Sequence, residues 1–188
     1  MKKLLVATLL ALPVLHLPAL AQQAPGTFPT KPVRWVVPYA AGGGSDFLAR
    51  TIGQSWSTQV GQPVVVDNKP GGNTALGAAE VARAAADGYT VLSADNGTLV
   101  FNPVLYKALS YSPTKDLAPV TLMGRFPMIL VVGPGIEVKD AKDFIAQAKA
   151  KSGGLNYGSA GAGSPHHLAM ELLKSEAGIE MVLSLIHI

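Results

Sequence analysis

The amino-acid sequence predicts an α/β fold, a parallel sheet with helices on its faces. Three observations predict it. Runs such as Val33 to Val37 are apolar on both faces, as buried parallel strands are. Strands and helices alternate through connections of a few residues, the rhythm of right-handed crossovers. Two strand-to-helix junctions are glycine-rich, "VVPYAAGGGSDFLAR" from Val36 and "LNYGSAGAGSPHHLAMELL" from Leu155.

Each element has a local reason. The first strand, Val33 to Val37, stops at Pro38. From Ser45 a helix is expected, with Leu48, Ile52, Trp56 and Val60 on one stripe and Gly61 as its stop. Val64 to Val66 is a short strand closed by Asp67-Asn68, and "KPGGN" is a turn cluster. An alanine-rich helix follows from Thr74 through Ala86, and Tyr89 to Ala94 is a third strand. Asp95 to Tyr111 is irregular. Leu117 to Met123 and Met128 to Val132 read as two strands around Gly-Arg-Phe-Pro. Asp140 to Lys151 reads as a helix with Phe144, Ile145 and Ala148 on one side. Leu155 to Gly158 is a strand. A last helix runs from Ser164 to Ala177 with Leu168, Leu172 and Leu173 facing inward; Ser164 is its N-cap and Pro165 its first residue.

The two ends stand apart. Lys2 and Lys3, an apolar run to Leu20 and the sequence Ala19-Leu20-Ala21 make a secretory signal peptide over 1–21, cleaved after Ala21. The run, broken by Pro13, His16 and Pro18, is short for a membrane anchor. Its removal leaves thirteen Lys and Arg against twelve Asp and Glu, a net charge of about +1, too balanced for a nucleic-acid binder. With no cysteine in the chain, stability rests on packing rather than on disulfides. The last residues, 183–188, carry no turn, cap or polar ending. They read as an aberrant tail, an apolar terminal strand being the alternative.

The glycine-rich junctions are one device in two copies. A helix start leaves about four N–H groups unpaired and concentrates about half a positive charge there. Glycine lets a ligand approach the backbone. Gly42, Gly43 and Gly44 form the first copy and Gly158, Gly161 and Gly163 the second, with Ser45, Ser159 and Ser164 adding hydroxyls. Each copy alone can hold a carboxylate or phosphate oxygen; a plain connection without ligand is the alternative. Phosphate is disfavoured by the absence of a P-loop lysine and by Asp46 in the first copy. Asp46 complements the helix dipole, or bonds an amine or hydroxyl of a ligand. Gly42-x-Gly44 with Asp67 imitates a dinucleotide fingerprint, but Phe47 stands where its third small residue belongs.

Other chemistry finds little support. His166 and His167 point about 100° apart on a helix and do not chelate one metal; helix surface or anion contact is their expected role. "YGSAGAGS" is not a nucleophile elbow. Trp35 and Trp56 read as core, Arg34 and Arg125 as strand-end or surface charges. No cofactor, metal or catalytic residue is expected.

The blocks "FPTKPVRWVVPYAAGGGSDFLAR", "GQPVVVDNKPGGN", "AADGYTVL", "NPVLYKALSYSPTKDLAPV" and "LNYGSAGAGSPHHLAMELLKSEAGIE" resemble, in order and spacing, the Bug-type substrate-binding receptors of tripartite tricarboxylate transporters. The resemblance covers nearly all of Phe28 to Glu180. It implies a two-lobed type II periplasmic binding protein, with Rossmann-like sheets flanked by helices and a cleft that closes on a small organic carboxylate. Lobe 1 would span 22–122 and an incomplete lobe 2 would span 123–182. The loop matching Tyr39, Ala40, Gly42, Gly43, Gly44, Ser45 and Asp46 would grip one carboxylate, partly through waters, together with Ser159, Ala160, Gly161, Gly163 and Ser164. Asn96 and Thr98 would line the cleft from a third loop, Asn96 to Asn102. The implied partners are the ligand and membrane transporter subunits, the receptor itself being a monomer. Family members continue with a His-Val-Pro-Tyr-Lys-Gly type segment where this sequence has "LSLIHI", so the return to lobe 1 would be missing. A sensor that presents ligand to a histidine kinase, and a secreted hydrolase or nucleotide enzyme, are the alternatives.

Overall fold

The computed structural model describes residues 27–184. The expected signal peptide and all but the start of the expected tail lie outside the described residues. The first sheet has three parallel strands, β1 (Val33–Val37), β2 (Val64–Asn68) and β3 (Thr90–Leu92), in the order β2-β1-β3. Trp35 is level with Val66 on one side and Val91 on the other. Helix α1 (Gly44–Val60) links β1 to β2, and α2 (Ala75–Ala82) links β2 to β3.

The helices cover opposite faces of this sheet. Trp35 and Val37 pack with Ala49 of α1, and Ile52, Trp56, Val64, Val66 and Val91 close around them. Ala49 and Gly53 bring α1 close to the strands: a Cβ on Gly53 would stand 3.2 Å from Val64 Cγ1. The buried stripe therefore centres on Ala49 and Gly53, while Leu48 and Val60 of the expected stripe are half-buried. Trp35 and Trp56 meet edge to face at 6.2 Å, as core residues. On the other face Ala78 and Ala79 of α2 pack with Leu92 and Tyr111. Helix α2 is shorter than its alanine-rich pattern, because after Ala82 the bonding tightens to Ala84 N–H onto Val81 O. Arg34 sits on the central strand rather than at a strand end, paired with Asp67 and Glu80. Asp67, the ribose-binding acid of the imitated fingerprint, is thus engaged in an ion pair.

After β3 come a π-helical turn, Gly97–Phe101, and the short helix α3 (Asn102–Leu105). A second unit holds α4 (Ala141–Ala150), β4 (Asn156–Tyr157), α5 (Pro165–Ala177) and β5 (Val182–Leu183), with β4 and β5 parallel. Its core is Phe144, Ala148, Tyr157, Ile179 and Met181. Asp140 caps α4 by accepting from Asp143 N–H, and Ser164 caps α5 by accepting from His167 N–H. Helix α5 buries Met170, Leu173 and Ala177 against this core, whereas Leu172, expected inward, is 62 % exposed. A 170-173-177 spacing is the helical stripe, and Leu172 falls beside it. Leu183 of the expected aberrant tail belongs to β5 and packs on the same core.

Two expected strands are not formed. Leu117 to Met123 and Met128 to Val132 are irregular, and no described strand lies beside them to complete a ladder. β-propensity alone does not hold a strand without a neighbour. No helix among the described residues is long and apolar enough to cross a membrane.

Candidate functional site

The carboxyl ends of β1, β2 and β3 point to one crevice, and β1 is where the strand order reverses. In open α/β sheets that reversal opens a ligand crevice. Three connections are tied together there. Tyr39 OH donates to Asp95 Oδ2 at 2.6 Å, which joins the loop after β1 to the loop after β3. Asn68, at the end of β2, donates to Tyr39 O at 3.1 Å. Burial and the Asp95 carboxylate push the Tyr39 phenol well above its usual range, so it stays a donor.

The loop Ala40 to Gly43 is shaped by Asp46. Its carboxylate, 4 % exposed, accepts from Gly42 N–H at 2.9 Å, Arg50 Nε at 3.0 Å and Asn68 Nδ2 at 3.0 Å. The Arg50 hydrogen bond, followed by the Gly42 amide, lowers the Asp46 pKa to about 2. The carboxylate of Asp46 is thereby engaged with its own loop, with Arg50 and with Asn68. Gly42, at φ +88°, is a position that a side chain would strain. Gly44 differs, since a Cβ there would meet only the Phe126 ring at 3.7 Å. Among the described residues no acceptor meets the N–H groups of Gly44, Ser45 and Asp46. Those three amides begin a helix of 17 residues and carry its positive end.

The second glycine loop is folded on itself. Ser159 Oγ accepts from Gly161 N–H at 3.2 Å and donates to Gly161 O at 3.1 Å. Ser164 N–H reaches Gly161 O at 3.1 Å, and Gly163 N–H reaches His167 Nδ1 at 3.0 Å. Ser159 and Ser164 are buried and hold the loop from inside. The outward donors are instead the amides of Ala160 and Ala162, both exposed, with no acceptor among the described residues.

Gly97 brings the three segments together. A Cβ on it would stand 3.4 Å from Pro165 Cδ, the first residue of α5, and 3.7 Å from Tyr39 OH. Gly163 lies against the first sheet's loops in the same way: a Cβ would stand 2.7 Å from Asn73 Nδ2 and 3.3 Å from Leu105 Cδ1. Asn96 is exposed beside this junction, but Thr98 is fully buried behind it. Thr98 Oγ1 bonds Thr74 Oγ1 at 2.8 Å, and Thr74 in turn receives Asn102 Nδ2 at 3.2 Å. Asn102 also exchanges bonds with Asn73, from Asn73 Nδ2 at 2.8 Å and to Asn73 O at 2.7 Å.

Several residues here escape the sequence reading. Asn68, Asn73, Thr74 and Asp95 tie these loops together, although "KPGGN" reads only as a turn, and the buried Asn102 closes the third loop, Asn96 to Asn102, from behind. Asn73 and Thr74 both have positive φ, at 50° and 72°. For a β-branched threonine that is a genuine outlier, of the kind that collects at functional sites. The adjacent Gly71-Gly72 was the available signal.

The family model for "Tripartite tricarboxylate transporter family receptor" matches residues 48–188. Protein BugT of Bordetella pertussis is 35 % identical over 83 % of this chain and 49 % of its own length. Among solved structures, R. palustris Rpa4515 with adipate has a TM-score of 0.81 at 36 % identity, covering 84 % of this chain and 52 % of that one. MatC from Rhodopseudomonas palustris with bound malate has a TM-score of 0.77 at 32 % identity, covering 85 % and 54 %. Two other matched structures are described as a periplasmic transporter and a periplasmic binding protein. The chain spans about half the length of the curated relatives it matches. The α/β fold is therefore that of periplasmic binding proteins, and the chain belongs to the family of tripartite tricarboxylate transporter receptors.

Proposed function

We propose that this chain carries the gripping loops of a periplasmic receptor for a small organic carboxylate, a di- or tricarboxylate, and that the receptor delivers it to the membrane subunits of a tripartite tricarboxylate-type transporter. One observation carries the reading: at Gly97 the loop after β1 and the start of α5 close on one crevice, each bringing unpaired amides. The ligand carboxylate would lie between the Gly44, Ser45 and Asp46 amides on one side and the Ala160 and Ala162 amides on the other. Ser45 and Asn96 would add side-chain donors. Neutral dipoles suffice to hold the charge, and a closed crevice strengthens them by lowering the local dielectric. Asp46 does not repel the ligand because Arg50 sits on its carboxylate. Malate and adipate, the ligands named for two related structures, are of this class.

Capture needs no catalysis, and the serines of the second loop are used in folding it. The receptor would act as a monomer, with 22–122 as its first lobe and 123–182 in the second, after export by the peptide 1–21 and cleavage after Ala21. Calorimetry with adipate and malate tests the reading, with the neutral diamide of adipate as control. Binding of the dianions alone, weakened at least about tenfold by Gly44→Asp, is expected, since one charge-assisted bond is worth about 1.5–3 kcal/mol. The effect would come from charge, because the Cβ itself fits. Equal binding of the diamide, or an unchanged affinity in Gly44→Asp, would overturn it.

A further inference from the structure

We propose that His167 is a positioning residue for the Ser159–Ser164 loop, holding through its neutral ring the shape that turns the Ala160 and Ala162 amides outward. Within this loop the amides of Gly161, Gly163 and Ser164 turn inward. Two of them end on oxygens of the loop itself. Gly163 N–H ends on His167 Nδ1, which accepts only with a free lone pair. The ring proton therefore sits on Nε2, which faces Glu171 Oε1 at 3.7 Å. The ring lies parallel to Tyr157 of β4, with centroids 6.4 Å apart. Tyr157 OH and Lys174 Nζ both donate to Glu171 Oε1, at 2.6 and 2.8 Å, so the groups around the ring brace it from below. Hydrogen bonding to Lys174 and then Tyr157 holds the Glu171 carboxyl below its ordinary range, keeping it ionised. On the facing segment the charged group is Asp95, behind Gly97 where Pro165 packs. His166 is exposed and turned about 100° away.

A second proton on the ring turns Nδ1 into a donor that faces the Gly163 donor. The bond is then lost, and with it the seat of Gly163 against Asn73 and Leu105. Gly163 sits there at φ +79°, a conformation and a close approach to Asn73 that only glycine allows. The consequence for ligand rests on the carboxylate reading above; the hydrogen bond itself does not.

Nitrogen-15 NMR of the full chain tests both. At neutral pH the His167 ring should show an unprotonated Nδ1 and a protonated Nε2. On acidification the Gly163 amide shift should follow the titration of that ring. In His167→Asn the side-chain Oδ1 replaces Nδ1 as acceptor, so the Gly163 amide stays protected and loses its pH dependence. In His167→Phe the stacking on Tyr157 is kept without the acceptor, so Gly163 amide exchange rises tenfold or more at neutral pH while the Phe144 and Met181 signals stay native. A Gly163 shift that ignores the ring titration, or an Asn variant that behaves as the Phe variant does, would overturn the proposal. Adipate calorimetry then reads the consequence: the Asn variant should bind like the parent and the Phe variant about tenfold more weakly. Equal binding by all three removes the positioning role. Failure of the parent to bind adipate counts against the carboxylate reading alone, since the NMR result still decides on His167.

Discussion

Replacing Asp46 by Asn keeps the shape of the side chain and removes its charge. The amide can accept at one atom only, and its NH2 faces donors. In either orientation of the amide the Gly42 N–H and Arg50 Nε bonds, both made to Oδ2, lose the charge of their acceptor, and the NH2 stands against a donor, Asn68 Nδ2 on one side or Gly42 N–H on the other. A bond from a backbone amide to a carboxylate contributes about 1.5–3 kcal/mol. The half-exposed Arg50 pair, spaced i,i+4, adds only about 0.3–0.5 kcal/mol. The expected loss at pH 7 is thus about 2–3 kcal/mol. The titration leads to a similar figure: a carboxyl lowered from 3.8 to about 2 corresponds to about 2 kcal/mol. The sign follows from the lowered pKa. The stabilisation is present above about pH 4 and is lost as pH falls from there towards about 2. Urea unfolding of both proteins from pH 7 to pH 2 should show a gap of about 2–3 kcal/mol that closes over that window. A gap below about 0.5 kcal/mol at pH 7, within the range of ordinary surface changes, would refute the reasoning. So would a gap that stays constant with pH.

Two further substitutions probe the frame of the site. A Cβ on Gly77 would lie 3.0 Å from Pro38 Cβ and 3.1 Å from Lys69 O, so Gly77→Ala should push α2 off β1 at a cost of about 1–3 kcal/mol by chemical denaturation. Ser164→Ala removes the cap of α5 and should cost about 1 kcal/mol, with faster amide exchange at His167 as its local sign.

Much of the first sheet is legible in the sequence, because its signals are local. Val33 to Val37 is apolar on both faces, Gly61 stops α1 with φ +68°, and Ser164 with Pro165 starts α5. The 117–132 segment misleads for the opposite reason. Its apolar, β-branched character is real, and Val120, Ile129 and Val131 are among the exposed residues. A strand, however, depends on a neighbour that local sequence does not supply. The glycine loops are legible as loops, but which amides face outward is not. That depends on side chains distant in sequence, such as Asn68 reaching Asp46 and Tyr39 across the sheet. Thr98 shows the same limit, since its burial follows from contact with Thr74, 24 residues away.

Capture as proposed requires amides from both loops to converge on one acid group, and a structure of the chain with adipate bound tests this most directly. The prediction is a ligand carboxylate within hydrogen-bond distance, directly or through one water, of the Gly44, Ser45 or Asp46 amides and also of the Ala160 or Ala162 amides. Adipate bound away from the crevice, or held there by side chains while both sets of amides turn elsewhere, would contradict it.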